Sequence, residues 1–276
     1  MGGYGTERQH VRENLNHTRF RALYGIGPKS AAALWKDLKA SNDKARKEGF
    51  FLFLNWLKEY RSYHGLGGLW NLDEDTIATK VWWYAKAVQS LKPNKIKFEG
   101  FGSDEIFIAT VDGVHCRINE PRTDAGTKWY SHKFNGPGVC YEIAISIRRD
   151  NVLWISGPHC ASVHDITIFR GGKKTRPKNQ NALFFKIPDG KRVIGDTGYQ
   201  GEPDKVSVTK DGDSKDVKKF FARAKSRQET FNSRLKAFQI LETSFRHGFN
   251  KHASVFESVC IIIQYDMENG HPLFEI

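Results

Sequence analysis

The sequence predicts an α/β fold, a mixed sheet flanked by helices and preceded by a small all-helical domain. Three observations carry this expectation. Residues 1–98 place apolar side chains at helical spacing. Beyond about residue 105 the pattern changes to alternating and continuous apolar runs of strand length. Between them, residues 93–102 are rich in chain-breaking residues and read as a linker, so the expected domains are 1–98 and 99–276.

In the first domain, Phe20-Arg-Ala-Leu-Tyr-Gly-Ile-Gly-Pro-Lys-Ser-Ala-Ala-Ala-Leu-Trp-Lys-Asp-Leu38 reads as helix, glycine turn and second helix. Pro28 suits the first turn of that second helix, where its missing N–H costs nothing. The spacing resembles a helix-turn-helix, whose second helix can enter a DNA groove. An all-helical packing domain without DNA contact fits the same pattern. Residues 50–60 form another amphipathic helix. Leu72-Asp-Glu-Asp-Thr begins a third with an acidic first turn.

In the second domain, residues 106–118, 141–147 and 151–157 read as three strands, the last two joined by the polar turn Arg148-Arg-Asp-Asn151. A short helix follows at about 164–169. Residues 171–181 form a basic, breaker-rich loop. Residues 191–194 and 206–208 are further strands, and 217–241 a long helix. A meander of three strands, then helix, strand and helix, is the element order of a ribonuclease H-like fold.

The 276 residues are 39% hydrophobic and 13% aromatic, enough for a substantial core. No apolar run reaches the ~20 residues of a membrane span. The first residues lack a signal peptide's apolar segment. Four cysteines make no disulfide framework, so a reducing intracellular compartment is expected. The net charge is +12, and residues 1–98 carry 17 Lys and Arg against 9 Asp and Glu. That excess suits a polyanion, most simply nucleic acid, although charge also serves solubility alone.

Four acidic residues stand out. Asp112 follows the apolar run Ile106-Phe-Ile-Ala-Thr-Val111, and Asp196 follows Arg192-Val-Ile-Gly195. An ionised carboxylate beside a buried strand loses solvation unless something offsets the cost. Two divalent cations would do so and would serve phosphodiester chemistry. An Asp-Gly turn is the local alternative for Asp112, but Val114 and Ile118 continue its strand. Asp196 sits among turn residues, at the strand end where α/β sites form.

Glu229 lies in Lys225-Ser-Arg-Gln-Glu-Thr-Phe-Asn-Ser-Arg-Leu-Lys236. Ala224, Phe231, Leu235 and Phe238 form the apolar face of that helix. Lys225, Glu229, Asn232 or Ser233, and Lys236 share another. That face could bind a cation and phosphates, or carry ordinary surface ion pairs. Asp165 completes Ser162-x-x-Asp165, which has the form of a capping box, so it reads as a helix cap, a metal ligand, or both. His115-Cys116, His159-Cys160 and His164 lack zinc-site spacing. Cys116 and Cys160 read instead as small buried apolar groups.

Together these motifs resemble the DDE-superfamily endonucleases of the Harbinger transposase group and their domesticated relatives, over about residues 105–265. The motifs are Val111-Asp-Gly-Val-His115, Gly157-Pro-His-Cys-Ala-Ser-Val-His-Asp165, Ile194-Gly-Asp-Thr-Gly-Tyr-Gln-Gly201, and the helix with Glu229 and Lys236. The resemblance implies a ribonuclease H-like nuclease with Asp112, Asp196 and Glu229 as catalytic carboxylates and Asp165 as a fourth acid of the metal site. It implies Mg²⁺ or Mn²⁺, with Asp112 bridging two ions. The family often has Arg four residues before the Glu. Lys225 stands there instead and keeps the charge without the bidentate geometry.

Lys225, Lys236 and the basic loop with Lys173, Lys174 and Arg176 are expected to contact DNA phosphates. Self-association, a separate Myb-like DNA-binding partner and a nuclear address are further expectations. The rival readings are a catalytically silent, domesticated DNA-binding protein and an enzyme acting on RNA or hybrid duplexes.

Overall fold

The computed structural model describes residues 4–174 and 178–276, which divide into two units. The first comprises residues up to 92 together with 236–240 and 254–272. It contains α1 (Tyr4–Tyr24), α2 (Pro28–Ser41), α3 (Lys47–Glu59), α4 (Tyr63–Trp70) and α5 (Glu74–Gln89). Helix α3 is its centre and packs against α1 and α5. Phe50, Phe53, Leu54, Trp56 and Leu57 are all buried, the mark of a helix covered on most sides. Asp73 caps α5 by accepting from the Thr76 N–H at 2.8 Å.

The turn between α1 and α2 depends on two devices. Gly25 has φ +80°, and a Cβ there would stand 2.4 Å from the Phe238 ring. Pro28 then opens α2 as expected. The buried Asp266 carboxylate ties the turn down, accepting from Arg21 at 2.8 Å, the Gly27 N–H at 3.1 Å and the Ser30 hydroxyl at 2.8 Å.

A short turn, α6 (Lys92–Lys95), opens the second unit, which comprises residues 93–235, 241–253 and 273–276. Its strands are β1 (Phe107–Arg117), β2 (Tyr130–Ser131), β3 (Gly136–Ser146), β4 (Val152–Cys160), β5 (Arg192–Ile194) and β6 (Val206–Ser207). The main sheet runs β4-β3-β1-β5-β6. Strands β1, β3 and β4 form the antiparallel meander, while β5 and β6 run parallel to β1. This mixed order is ribonuclease H-like. The two-residue β2 adds a hairpin to the start of β3.

Helix α7 (Asp165–Arg170) follows β4, and α8 (Lys215–Lys236) follows β6. Phe169 of α7 packs in one core with Ile108, Val193 and Tyr199, whereas Phe221 and Ala224 of α8 pack with Ile147 and Ile194 in another. Helices therefore flank the sheet. Arg227 fixes α8 to the turn after β3, donating to the Arg149 carbonyl at 2.8 Å and to Asp150 at 3.0 Å.

Several expectations shift. The long helix of 217–241 is α8 followed by a separate α9 (Gln239–Glu242). The second strand begins at Gly136 rather than 141, because β2 pairs there. Along the chain, the first unit runs to Lys92. Most of the C-terminal helix α10 (His252–Glu268) groups with the helical unit. There Ser258 donates to the Ala85 carbonyl at 2.9 Å and Glu257 accepts from Gln89 at 2.7 Å. No helix among the described residues is long and apolar enough to cross a membrane.

Candidate catalytic centre

Asp112 lies inside β1, paired in register with Ile143 of β3, and the strand continues to Arg117. The turn alternative is therefore excluded. Alternation puts Thr110 and Asp112 on the same face of β1, toward Gln228 and Asn232, one turn apart on α8. Thr110 donates to the Gln228 Oε1 at 2.7 Å, and the Asn232 amide donates to the Asp112 Oδ2 at 2.7 Å. The Gly113 N–H donates to the other Asp112 oxygen at 2.8 Å. Strand and helix thus hold the carboxylate in one orientation. Burial pushes the Asp112 carboxyl up to about 6; Lys133 and the Gly113 N–H oppose this, while Asp196 and Asp165 add to it.

Asp196 lies two residues past the end of β5 and caps the turn Thr197–Tyr199, accepting from the Gly198 N–H at 2.8 Å. Glu229 projects from α8 beside Gln228 and is exposed. Asp112, Asp196 and Glu229 line one cleft of about 230 Å³ with Thr110, Val111, Lys133, Lys225 and Gln228. A larger cleft of about 550 Å³, lined by Phe107, Arg192, Gln200 and Val217 among others, presents one carboxylate, Asp213. Only the smaller cleft gathers the acids.

Asp165 is the first residue of α7, and the residue preceding that helix, His164, makes no side-chain cap. The capping-box reading is therefore corrected. The Asp165 carboxylate turns instead toward the backbone of β1 and of the Asp196 turn. A Cβ at Gly113 would lie 2.6 Å from its Oδ1, and one at Gly198 would lie 2.9 Å from its Oδ2. Burial raises the Asp165 carboxyl, with Lys133 opposing and Asp196 adding to the shift. Asp165 thus adjoins the cleft from the other side of β1.

The lysines divide. Lys225 lines the cleft and donates to the Thr209 hydroxyl at 3.0 Å. Lys236 ends α8 and is half-buried, outside the cleft lining. Lys173 and Lys174 are exposed in the loop after α7, and Arg176 lies outside the described residues. Sequence reasoning missed Lys133. It sits on the hairpin between β2 and β3, lines the cleft, donates to the Gly113 carbonyl at 2.7 Å and counters the charge of Asp112 and Asp165. A lone lysine in a loop carries no periodic signal. Only the unrecognised hairpin from Ser131 to Gly136 pointed to it.

Behind the cleft, Glu142 of β3 is buried, and its Oε2 accepts from the Trp154 indole at 3.2 Å. Its Oε1 and the Tyr199 hydroxyl are buried without a hydrogen-bond partner. Burial pushes Glu142 up to about 8. None of the four cysteines forms a disulfide, and Cys116, Cys140 and Cys260 are buried. Among the described residues, no group of metal-ligating side chains includes Cys116, His159, Cys160 or His164.

Sheet order, flanking helices and a carboxylate-lined cleft define an α/β protein of ribonuclease H-like architecture. Compared with known proteins, residues 111–264 match the family described as DDE superfamily endonuclease, a span that holds all four acids. The chain belongs to that family. It is also 20% identical over 285 residues to a probable transposase for insertion sequence element IS702 from Microchaete diplosiphon, covering 92% of this chain and 96% of the relative. No solved structure matches.

Proposed function

We propose that this chain is a Mg²⁺- or Mn²⁺-dependent DNA endonuclease with strand-transfer capacity, a Harbinger-type transposase or a descendant of one. The observation that carries this reading is the convergence of Asp112, Asp196 and Glu229 in one cleft with Lys133 and Lys225. Three carboxylates offer only oxygen donors, the set that hard divalent cations prefer. Burial, with added repulsion from Asp196 and Asp165, raises Asp112, and bound cations would offset both. Asp112, Asp196 and Glu229 would hold the ions, with Asp165 supporting from behind β1. Bound there, the cations supply activation of the nucleophile and charge neutralisation at the leaving oxygen.

The chain's own residues do the rest. Asn232 and Gly113 orient Asp112, and the Asp196 turn presents its carboxylate at the end of β5. Lys133 and Lys225 would hold the phosphates flanking the scissile bond, and Lys236, Lys173 and Lys174, with Arg176 by its charge alone, would contact the DNA backbone beyond it. The helical unit would engage duplex DNA through the outer face of α2, where Lys29 and Lys36 are exposed. The transposase name of the relative supports DNA over RNA. Self-association, a Myb-like partner and a nuclear address belong to the same proposal; size-exclusion chromatography with light scattering, co-purification and a fluorescent fusion test them.

The deciding test is nicking of supercoiled plasmid with Mg²⁺, Mn²⁺ or EDTA, using the native chain and Glu229→Gln. Metal-dependent nicking that falls at least 10²-fold in the variant supports the proposal. Equal nicking by both chains overturns the assignment of Glu229. Salt-sensitive DNA binding without nicking by either chain favours the silent, domesticated reading.

A further inference from the structure

We propose that His115, Cys140 and Asp165 form a second metal site, one that takes a single zinc-class cation. This site is distinct in chemistry from the all-oxygen cleft and does not depend on the cleavage reaction proposed above. His115 of β1 and Cys140 of β3 are direct cross-strand partners, so their side chains share one face of the sheet. Asp165 enters over that face from the start of α7. Ligand atoms of the three residues lie within 4.8 Å of one another. Donors around a tetrahedral zinc ion sit roughly 3.3–3.8 Å apart, given its bond lengths. The set closes on a cation with side-chain shifts of about 1 Å.

Two further features point to a ligand. Gly113, two residues before His115 on the same strand face, lacks the side chain that would fill the space. A Cβ there would stand 2.6 Å from the Asp165 Oδ1 and 3.2 Å from the Cys140 Sγ. The absence of a side chain at Gly113 is what lets carboxylate and thiol approach each other beside β1. The buried Ser131 hydroxyl lies 2.7 Å from the His115 Nδ1. That contact fixes the imidazole ring, as an outer partner orients a metal-binding histidine.

Sulfur, nitrogen and oxygen donors together select Zn²⁺ or Co²⁺ over Mg²⁺. Three protein ligands leave a fourth position for water. Binding releases the Cys140 thiol proton to solvent. The thiolate and carboxylate then neutralise the dication, so Lys133, bonded to the Gly113 carbonyl at 2.7 Å, remains compatible with occupancy. Because Asp165 also adjoins the Asp196 turn, a cation here draws one acid away from the cleft and couples the two sites.

The test is a cobalt titration of the full, chelator-stripped chain in excess Mg²⁺, which occupies the oxygen-ligand sites. The expected result is a near-ultraviolet sulfur-to-cobalt charge-transfer band at one equivalent, displaced by Zn²⁺. Cys140→Ser abolishes the band, Cys160→Ser keeps it, and His115→Gln weakens cobalt binding at least tenfold. Circular dichroism establishes that each variant is folded. Should Cys140→Ser not fold, His115→Gln and Cys160→Ser carry the test. The absence of a band in the native chain overturns the proposal. So does a band that survives Cys140→Ser or disappears in Cys160→Ser, or cobalt affinity unchanged in His115→Gln.

Discussion

At the scale of single residues, the centre sets two half-buried carboxylates, Asp112 and Asp165, beside two exposed ones, Asp196 and Glu229. Lys133 is the cation closest to that balance, bonded to the Gly113 carbonyl and opposing the raised protonation of Asp112 and Asp165. Lys133→Met is expected to lower plasmid nicking by roughly 10²-fold, the usual cost of removing one preorganised donor. Its circular dichroism should match the native chain. Unchanged nicking would remove Lys133 from the centre. Glu142 gives a second prediction. Its folded pKa of about 8 lies above the ordinary 4.5, so the folded chain binds the extra proton between those values. Its stabilising contribution is present below about pH 4.5 and is lost as pH rises toward 8, by up to roughly 1.4 kcal/mol per pH unit. Denaturant unfolding of Glu142→Gln should show a flatter stability profile across pH 5–8 and greater stability than the native chain at pH 8.

Elements position these residues through matched periods. The two-residue repeat of β1 puts Thr110 and Asp112 on one face, and the four-residue spacing of α8 puts Gln228 and Asn232 opposite them. Slipping either element by one residue would exchange these hydrogen bonds for mismatched groups. In the helical unit, the α1–α2 turn works by exclusion: only glycine fits at φ +80° beneath the Phe238 ring. Gly25→Ala combines backbone strain with overpacking, so a loss of roughly 2–5 kcal/mol is expected. Thermal unfolding measures this directly. A midpoint within a degree of native would mean that the turn relaxes without cost.

For the whole molecule, the two units carry different parts of the proposed task. The sheet unit holds the acids, and residues 1–98, most of them in the helical unit, carry 17 Lys and Arg against 9 Asp and Glu. If α2 contacts phosphates through Lys29 and Lys36, replacing both with Ala should weaken DNA binding across all sequences. It should also reduce the slope of log K against log salt by about 1.8. Fluorescence anisotropy at several salt concentrations measures that slope. An unaltered slope would place the DNA on another surface.

The fold class was legible because secondary structure follows local periods. The alternating run into Asp112, the breaker-rich linker and the apolar face through Ala224, Phe231 and Leu235 each lie within a few turns of chain. The order of those elements was sufficient to name a mixed sheet with flanking helices, and the motif spacing singled out the four acids. Proximity was not legible. Asn232 bonds Asp112 across 120 residues, and Asp165 meets Gly113 only because α7 folds back over β1. Lys133 reaches the cleft through a hairpin whose strand is two residues long, too short for any period to mark. The C-terminal helix reads as an apolar stretch, and which unit it joins is decided by packing. Local sequence determined what each segment is, because its pattern is a property of neighbours in the chain. Tertiary structure alone decided which charges face one another, because those energies depend on distances between residues far apart in sequence.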